Sequence, residues 1–242
     1  MTTTSTAYGA ELSEIYDFIY RERGKDFAGE AESVARVVRA RLPRAASLLD
    51  VACGTGEHLV RLRELIGDVE GLELSPEMCA AARAKLPGVP VHVGDMRGFD
   101  LGRRFDAVCC LFSSVAYMPT VVELAEALRS MARHLLSGGV LVIDPLWFPD
   151  RFIDGYVAGD VVRGDGRTVA RVSHTSRDGT TVRQEAHFVV ADETGIRHFT
   201  EVQRLTLHSR EDYLTAFEQA GCPAEYLEGE LSARGLFVGV RG

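Results

Sequence analysis

Ser47-Leu48-Leu49-Asp50-Val51-Ala52-Cys53-Gly54-Thr55-Gly56-Glu57-His58 decides the fold: an apolar, strand-forming run stops at a turn of small residues, and a helical pattern starts directly after it. Glycines 54 and 56 let the backbone approach a ligand closely at the C-terminal end of a strand, where the following helix presents free N–H groups. Leu59 stands where a G-x-G-x-x-G fingerprint has its third glycine. The turn alone therefore suits either a nucleotide-like ligand or plain strand-turn-helix packing.

The residues downstream favour the ligand. Residues 69–74 read as a second strand, and Glu73 at its C-terminal end lies 19 residues past Gly54, where a carboxylate reaches a ribose diol. Ser75 and Pro76 then read as the cap and first residue of a helix running to Lys85. Residues 89–93 form a short third strand ending at Gly94-Asp95-Met96; an acid followed by an apolar residue suits an adenine, with Asp95 as a cap of the next turn the alternative. Residues 105–112 make a nearly continuous apolar fourth strand, the pattern of a strand buried on both faces of a parallel sheet. A helix over 123–136 stops at Ser137-Gly138-Gly139, and 140–144 supply a fifth strand.

Upstream, apolar positions at helical spacing predict helices over 8–23 and 26–41. Downstream, from Trp147 to about Leu207, strand-like runs alternate with turns at Gly164-Asp165-Gly166, Asp178-Gly179 and 192–195. Hairpin spacing leaves no room for crossover helices, so this is an inserted antiparallel sheet of three or four strands. A helix over 210–220 and strands over 224–227 and 236–240 return to the main sheet. The expected fold is α/β: a doubly wound parallel sheet, residues 1–145 and 208–242, with an antiparallel β insertion after strand 5, residues 146–207.

Composition narrows the partners. The net charge of −8 argues against nonspecific nucleic-acid binding, which requires a basic face. Five cysteines, an odd number without a C-x-x-C pair, read as core residues, so neither a metal nor a disulfide is expected. The N-terminal Met-Thr-Thr-Thr-Ser-Thr has no leader pattern, and no run approaches a membrane span; a cytoplasmic protein with no membrane partner is expected. A homodimer is open: the outer sheet offers a pairing surface, as does any edge strand.

Asp50–Gly56, Gly71-Leu72-Glu73-Leu74 and Gly94-Asp95-Met96, in that order and spacing, resemble the class I S-adenosylmethionine-dependent methyltransferases, whose sheet is Rossmann-like. Ala52 departs from the glycine usual there. Arg23-Gly24-Lys25-Asp26-Phe27, Gly94-Asp95-Met96-Arg97, Phe112-Ser113-Ser114-Val115, Trp147-Phe148-Pro149, Arg171-Val172-Ser173-His174 and Arg234-Gly235-Leu236-Phe237 extend the resemblance to bacterial N,N-dimethyltransferases of TDP-linked amino sugars, such as those making desosamine and mycaminose. The resemblance implies S-adenosyl-L-methionine as cofactor, a TDP-linked 3-amino- or 4-amino-deoxyhexose as substrate, and two methylations on nitrogen. It puts cofactor contacts on Tyr16, Arg23, Ala52, Gly54, Glu73, Asp95, Met96 and Leu111, with Arg23 suited to the methionine carboxylate. It puts the substrate against Tyr8, Tyr117, Trp147, Phe148, Ser173, Arg177 and Arg234. Some members carry histidine at the position of Tyr117.

Methyl transfer to a neutral amine needs orientation more than acid–base chemistry, so Tyr8 and Tyr117 are expected to orient the amine without acting as obligatory bases. In the insertion, Arg171, Arg177 and Arg183 could meet a diphosphate, while Arg177 and Arg183 read equally as solvated edge charges. Trp147 reads as a thymine stack or as a core anchor. Two other functions stay open: an O-methyltransferase on a sugar or polyketide, and a noncatalytic cofactor-binding protein.

Overall fold

The computed structural model describes residues 8–242. In chain order they form α1 (Ala10–Glu22), α2 (Phe27–Arg41), β1 (Ser47–Val51), α3 (Glu57–Ile66), β2 (Asp68–Glu73), α4 (Pro76–Lys85), β3 (Val91–Val93) and β4 (Phe105–Cys110). A 3₁₀ turn (Ser114–Tyr117) leads to α5 (Val121–Arg133) and β5 (Leu135–Ile143), followed by β6 (Tyr156–Gly164), β7 (Arg167–Asp178), β8 (Thr181–Asp192) and β9 (Gly195–Thr206). The chain closes with α6 (Arg210–Gln219), β10 (Ala224–Leu227) and β11 (Leu236–Val240).

The main sheet has the order β10-β11-β5-β4-β1-β2-β3 and the second sheet β6-β7-β8-β9. β1 pairs in parallel with β2 on one side and β4 on the other, so chain direction across the sheet reverses there. Such a reversal leaves a crevice beyond the strands' C-terminal ends, which is where a ligand fits. The helices cover both faces: α2, α3 and α4 bury Val34, Val38, Leu59, Leu62 and Ala82 on one, and α5 and α6 bury Leu124, Leu128 and Phe217 on the other.

α1 belongs to neither layer. Its stripe of Leu12, Ile15 and Ile19 packs against Val169, Phe188, Val190 and Phe199 on the inner face of β7–β9. It thereby anchors the second sheet over the crevice and brings Tyr8, just before its first turn, beside the strand ends. Ser75 accepts from the Met78 N–H and Pro76 opens α4, as their order in the sequence predicts.

β5 corrects one expectation. Ser137-Gly138-Gly139 does not precede the strand but lies inside it: Phe105 pairs with Leu135 and Ala107 already with Val140, so the intervening residues form a bulge. Gly138 takes φ +76°, and a Cβ on Gly139 would lie 2.9 Å from the Leu136 carbonyl oxygen. Turn-like composition thus marked a bulge that only strand pairing reveals. All five cysteines are buried and unpaired.

Candidate active site

A cavity of about 610 Å³ opens at the C-terminal ends of the central strands, roofed by β9. The size falls within the ~300–1,000 Å³ typical of small-molecule sites. Its floor is the turn after β1. Ala52, Gly54 and Gly56 all take the left-handed conformation, with φ of 59°, 57° and 79°. A side chain there costs about 1–2 kcal/mol, so Ala52 is a strained residue, whereas the glycines are not. Nothing lies within 4 Å of a Cβ added at Gly54, but one at Gly56 would meet Leu86 Cδ1 at 2.8 Å. Gly56 therefore serves the packing of the turn on α4, and Gly54 leaves its face to the cavity.

Glu73 holds the turn from the neighbouring strand. Its Oε2 accepts the Gly54 N–H at 2.9 Å, and its Oε1 accepts the Ser75 N–H at 2.8 Å. The carboxylate is thus locked at the junction of two loops, and each oxygen keeps a further lone pair for a ligand donor. Asp95 accepts from the Arg97 N–H and guanidinium, which lower its pKa. Met96 and Leu111 complete this side of the wall with Leu72 and Met78.

Tyr8 and Tyr117 face each other on the opposite side. The Tyr117 hydroxyl donates to that of Tyr8 at 3.1 Å, and their rings stand edge to face at 6.2 Å. Tyr16 packs edge-on against Tyr8 at 5.8 Å. Burial, reinforced by neighbouring tyrosines, pushes Tyr8, Tyr16 and Tyr117 far above the ordinary phenol range. These hydroxyls are neutral at any working pH.

Backbone strain concentrates here. Six non-glycine residues among those described have positive φ, and four of them, Tyr8, Ala52, Phe112 and Ser113, border the cavity or adjoin its wall. Such conformations cost of order 1–3 kcal/mol each and persist where the surroundings hold them for a function.

Of the expected cofactor positions, Tyr16, Ala52, Gly54, Glu73, Asp95, Met96 and Leu111 line this one cavity. Arg23 does not: its Nε lies 3.2 Å from Asp160 Oδ1, under the second sheet. Of the expected substrate positions, Tyr8 and Tyr117 line the cavity. Trp147, Phe148, Arg177 and Arg234 gather instead around the loop leaving β5. Arg234 pairs with Asp144 at 3.0 Å and donates to the Pro145 carbonyl; Arg177 donates to the carbonyls of Pro149 and Gly179. Phe148 lies in an aromatic group with Tyr213, Tyr226 and Phe237, while Trp147 is 39% exposed. Ser113 ties this loop to the cavity wall by donating to the Pro145 carbonyl at 2.9 Å. Ser173 is buried on the inner face of β7.

Sequence reasoning missed Phe27, Thr55, His58, Phe112, Gln203 and Arg204, which also line the cavity. Thr55 and His58 adjoin the turn and were findable from it; Thr55 donates to Asp17, and His58 meets Glu30 at 2.7 Å. Gln203 and Arg204 carry no local signal, because only the seating of β9 over the strand ends places them there.

Asp50 Oδ2, behind the turn and outside the cavity lining, has no hydrogen-bond partner among the described residues, and burial raises the Asp50 carboxyl to about 6. Glu73, by contrast, lines the cavity with a free lone pair on each carboxylate oxygen, and Gly54 leaves its face open there, which suits a positively charged ligand bearing a diol. The residues present therefore fit a sulfonium nucleoside.

Residues 48–139 match the family described as Methyltransferase domain. A Streptomyces venezuelae protein named dTDP-3-amino-3,4,6-trideoxy-alpha-D-glucopyranose N,N-dimethyltransferase is 54% identical over 96% of this chain and 99% of its own length. One from Saccharopolyspora spinosa, named dTDP-4-amino-2,3,4,6-tetradeoxy-D-glucose N,N-dimethyltransferase, is 51% identical over 98% and 96%. The SAM-bound structure of CalS10, an amino pentose methyltransferase from Micromonospora echinaspora, superposes with a TM-score of 0.87 at 51% identity over the whole of both chains. The first two relatives differ in which carbon bears the amine.

Proposed function

The chain belongs to the S-adenosylmethionine-dependent N,N-dimethyltransferases of dTDP-linked amino sugars, and from that membership we propose that it methylates twice the amine of a dTDP-linked 3-amino- or 4-amino-deoxyhexose in antibiotic sugar biosynthesis. The observation that carries this reading is that one cavity joins the Gly54 turn and Glu73 to the paired hydroxyls of Tyr8 and Tyr117.

Glu73 would hold the ribose diol of the cofactor, and Asp95 and Met96 its adenine, the acid accepting from the exocyclic amine and the thioether covering a face. Bound S-adenosylmethionine supplies a methyl group on a positively charged sulfur, already a strong electrophile. The protein's task is then to place a neutral amine in line behind that methyl and to exclude water, which contributes up to ~7–11 kcal/mol when the alignment is good. An exposed alkyl ammonium has a pKa near ~10, and burial among Tyr8, Tyr16 and Tyr117 favours its neutral form. Tyr8 and Tyr117 fix the direction of the lone pair by hydrogen bonding.

Nitrogen is favoured over oxygen as acceptor by the same tyrosines. A sugar hydroxyl needs a base, but both phenols are held protonated by burial, and His58 is engaged by Glu30. Mass spectrometry of reactions with dTDP amino sugars differing in amine position should show successive gains of one and two methyl groups on a single substrate. Methylation of a hydroxylated sugar but of no amine would overturn the reading.

The outer face of the second sheet exposes Val157, Val161, Val172, Val189 and Ile196. A strip of this kind is self-complementary under a two-fold axis, and the second subunit of a homodimer is its proposed occupant. Sedimentation equilibrium should give a dimer that Val172→Glu dissociates; an unaltered dimer would place the contact elsewhere.

A further inference from the structure

Asp95 and Met96 stand on residues 94–104, which link β3 to β4 with neither helix nor strand. No ladder orients such a segment, so its place is set by what it docks on. It docks on α5. In the first turn of that helix Glu123 accepts from Arg97 at 3.1 Å, and Arg97 in turn holds the Asp95 carboxylate. At the last turn, the Phe99 N–H donates to Ser130 Oγ at 3.3 Å and the Leu101 N–H to His134 Nε2 at 3.1 Å. The Phe99 ring lies stacked on the His134 imidazole, with 4.2 Å between centroids and 18° between planes.

His134 is buried, and its partners fix its tautomer. Its backbone N–H closes on the Met131 carbonyl at 3.0 Å, while its Nδ1 lies 2.8 Å from the Ser130 carbonyl oxygen, which can only accept. Nδ1 therefore carries the hydrogen, and Nε2 supplies the lone pair that the Leu101 N–H needs. Both ring nitrogens are in use. The Asp100 carboxylate, 3.9 Å from Nε2, is 90% exposed and does not compete for the ring. Packing alone would be served by an apolar residue, as it is at Met131 and Leu135 nearby. Any other setting of the imidazole would bury an unpaired nitrogen, so the ring holds the segment in one position.

We propose that His134 is a positioning residue for the adenine of the cofactor: it pins this segment so that the Asp95 carboxylate meets the exocyclic amine and selects a 6-amino over a 6-oxo purine. The inference rests on the reading that Asp95 and Met96 hold the adenine. His134 does not itself line the cavity. It acts through the chain, because Met96, Phe99 and Leu101 all pack on the core cluster that α5 helps to build. A hydrogen bond discriminates between bases only when its acceptor is held in place; a carboxylate free to shift can turn to water or to another edge of the ring. Arg97 adds little by itself, since its pair with Glu123 is partly solvent-exposed and such pairs hold weakly.

Calorimetric titration of the full chain with S-adenosylhomocysteine and with S-inosylhomocysteine, its 6-oxo counterpart, tests the assignment. The parent should bind the adenine form at least about 10-fold more tightly, the effect of one hydrogen bond to a carboxylate. His134→Phe keeps a ring against Phe99 but accepts nothing; it should weaken S-adenosylhomocysteine binding roughly 10-fold and remove most of the preference. His134→Gln, whose carboxamide oxygen can accept the Leu101 N–H, should restore most of it. Ser130→Ala, which removes only the Phe99 anchor, should shift both quantities the same way by less, and it carries the test if His134→Phe does not fold. A residue that merely fills the core would lower the melting temperature and leave the preference unaltered, and that result overturns the assignment. Asp95→Asn separates the two readings. If it abolishes the preference while His134→Phe keeps it, the role of His134 alone is overturned. If the preference survives Asp95→Asn, or is absent from the parent, the adenine reading falls as well. A parent that binds neither ligand overturns both and the proposed function.

Discussion

Glu73→Ala should weaken S-adenosylmethionine binding by about 10²–10⁴-fold, since each of two hydrogen bonds to a carboxylate contributes roughly 1.5–3 kcal/mol. The carboxylate also accepts the N–H groups of Gly54 and Ser75, so its removal leaves two backbone donors unpaired and loosens the turn itself. Glu73→Gln separates the effects: the amide retains one acceptor but presents N–H to a site that already has a backbone donor. It should therefore also lose most of the affinity, while Glu73→Asp, one methylene shorter, should not span from the Gly54 N–H to a ribose. Titration calorimetry with S-adenosylhomocysteine reads this directly. Turnover at saturating cofactor should fall far less than affinity, because a ribose contact holds the cofactor alike in the ground state and the transition state. An alanine variant that binds cofactor like the parent would remove Glu73 from the site.

The second large effect concerns the amine. Tyr8→Phe and Tyr117→Phe should each lower kcat/KM by about 10–100-fold, and the double variant should still turn over. Removing a positioned hydroxyl costs an aligned hydrogen bond and some of the in-line orientation, but no proton acceptor is lost, because burial keeps both phenols neutral. The ascending limb of the pH profile of kcat/KM should belong to the substrate amine and keep its midpoint in both variants. A double phenylalanine variant with intact substrate affinity and no detectable turnover, or a limb that moves with either substitution, would make a tyrosine the base.

The residues expected to hold the cofactor, Arg23 apart, gather in one cavity because their signals are local. The Gly54 turn, Glu73 nineteen residues on, and Asp95-Met96 after the third strand all sit at strand C-termini. Parallel strands joined by helices bring such ends together whatever the details of packing. The substrate half was less legible. Arg177 and Arg234 have the right chemistry for a nucleotide, and Arg23 for the cofactor's carboxylate, but their partners, the Pro149 carbonyl, Asp144 and Asp160, come from other elements. A long side chain's partner is set by what is packed beside it, and adjacent sequence does not record that. Gln203 and Arg204 show the converse: nothing in their strand pattern marks them, yet β9 seats them over the cavity.

From sequence alone came the element order, the doubly wound sheet with its antiparallel insertion, and the strand-end residues that line one cavity, because periodicity, turns and strand-end spacing are properties of neighbouring residues. Tertiary structure alone decided that Ser137-Gly138-Gly139 is a bulge within β5, that α1 supports the second sheet, and that Tyr8 meets Tyr117 across more than a hundred residues of chain. Contacts between distant segments follow from how sheets and helices close on one another, which no local stretch of the chain encodes.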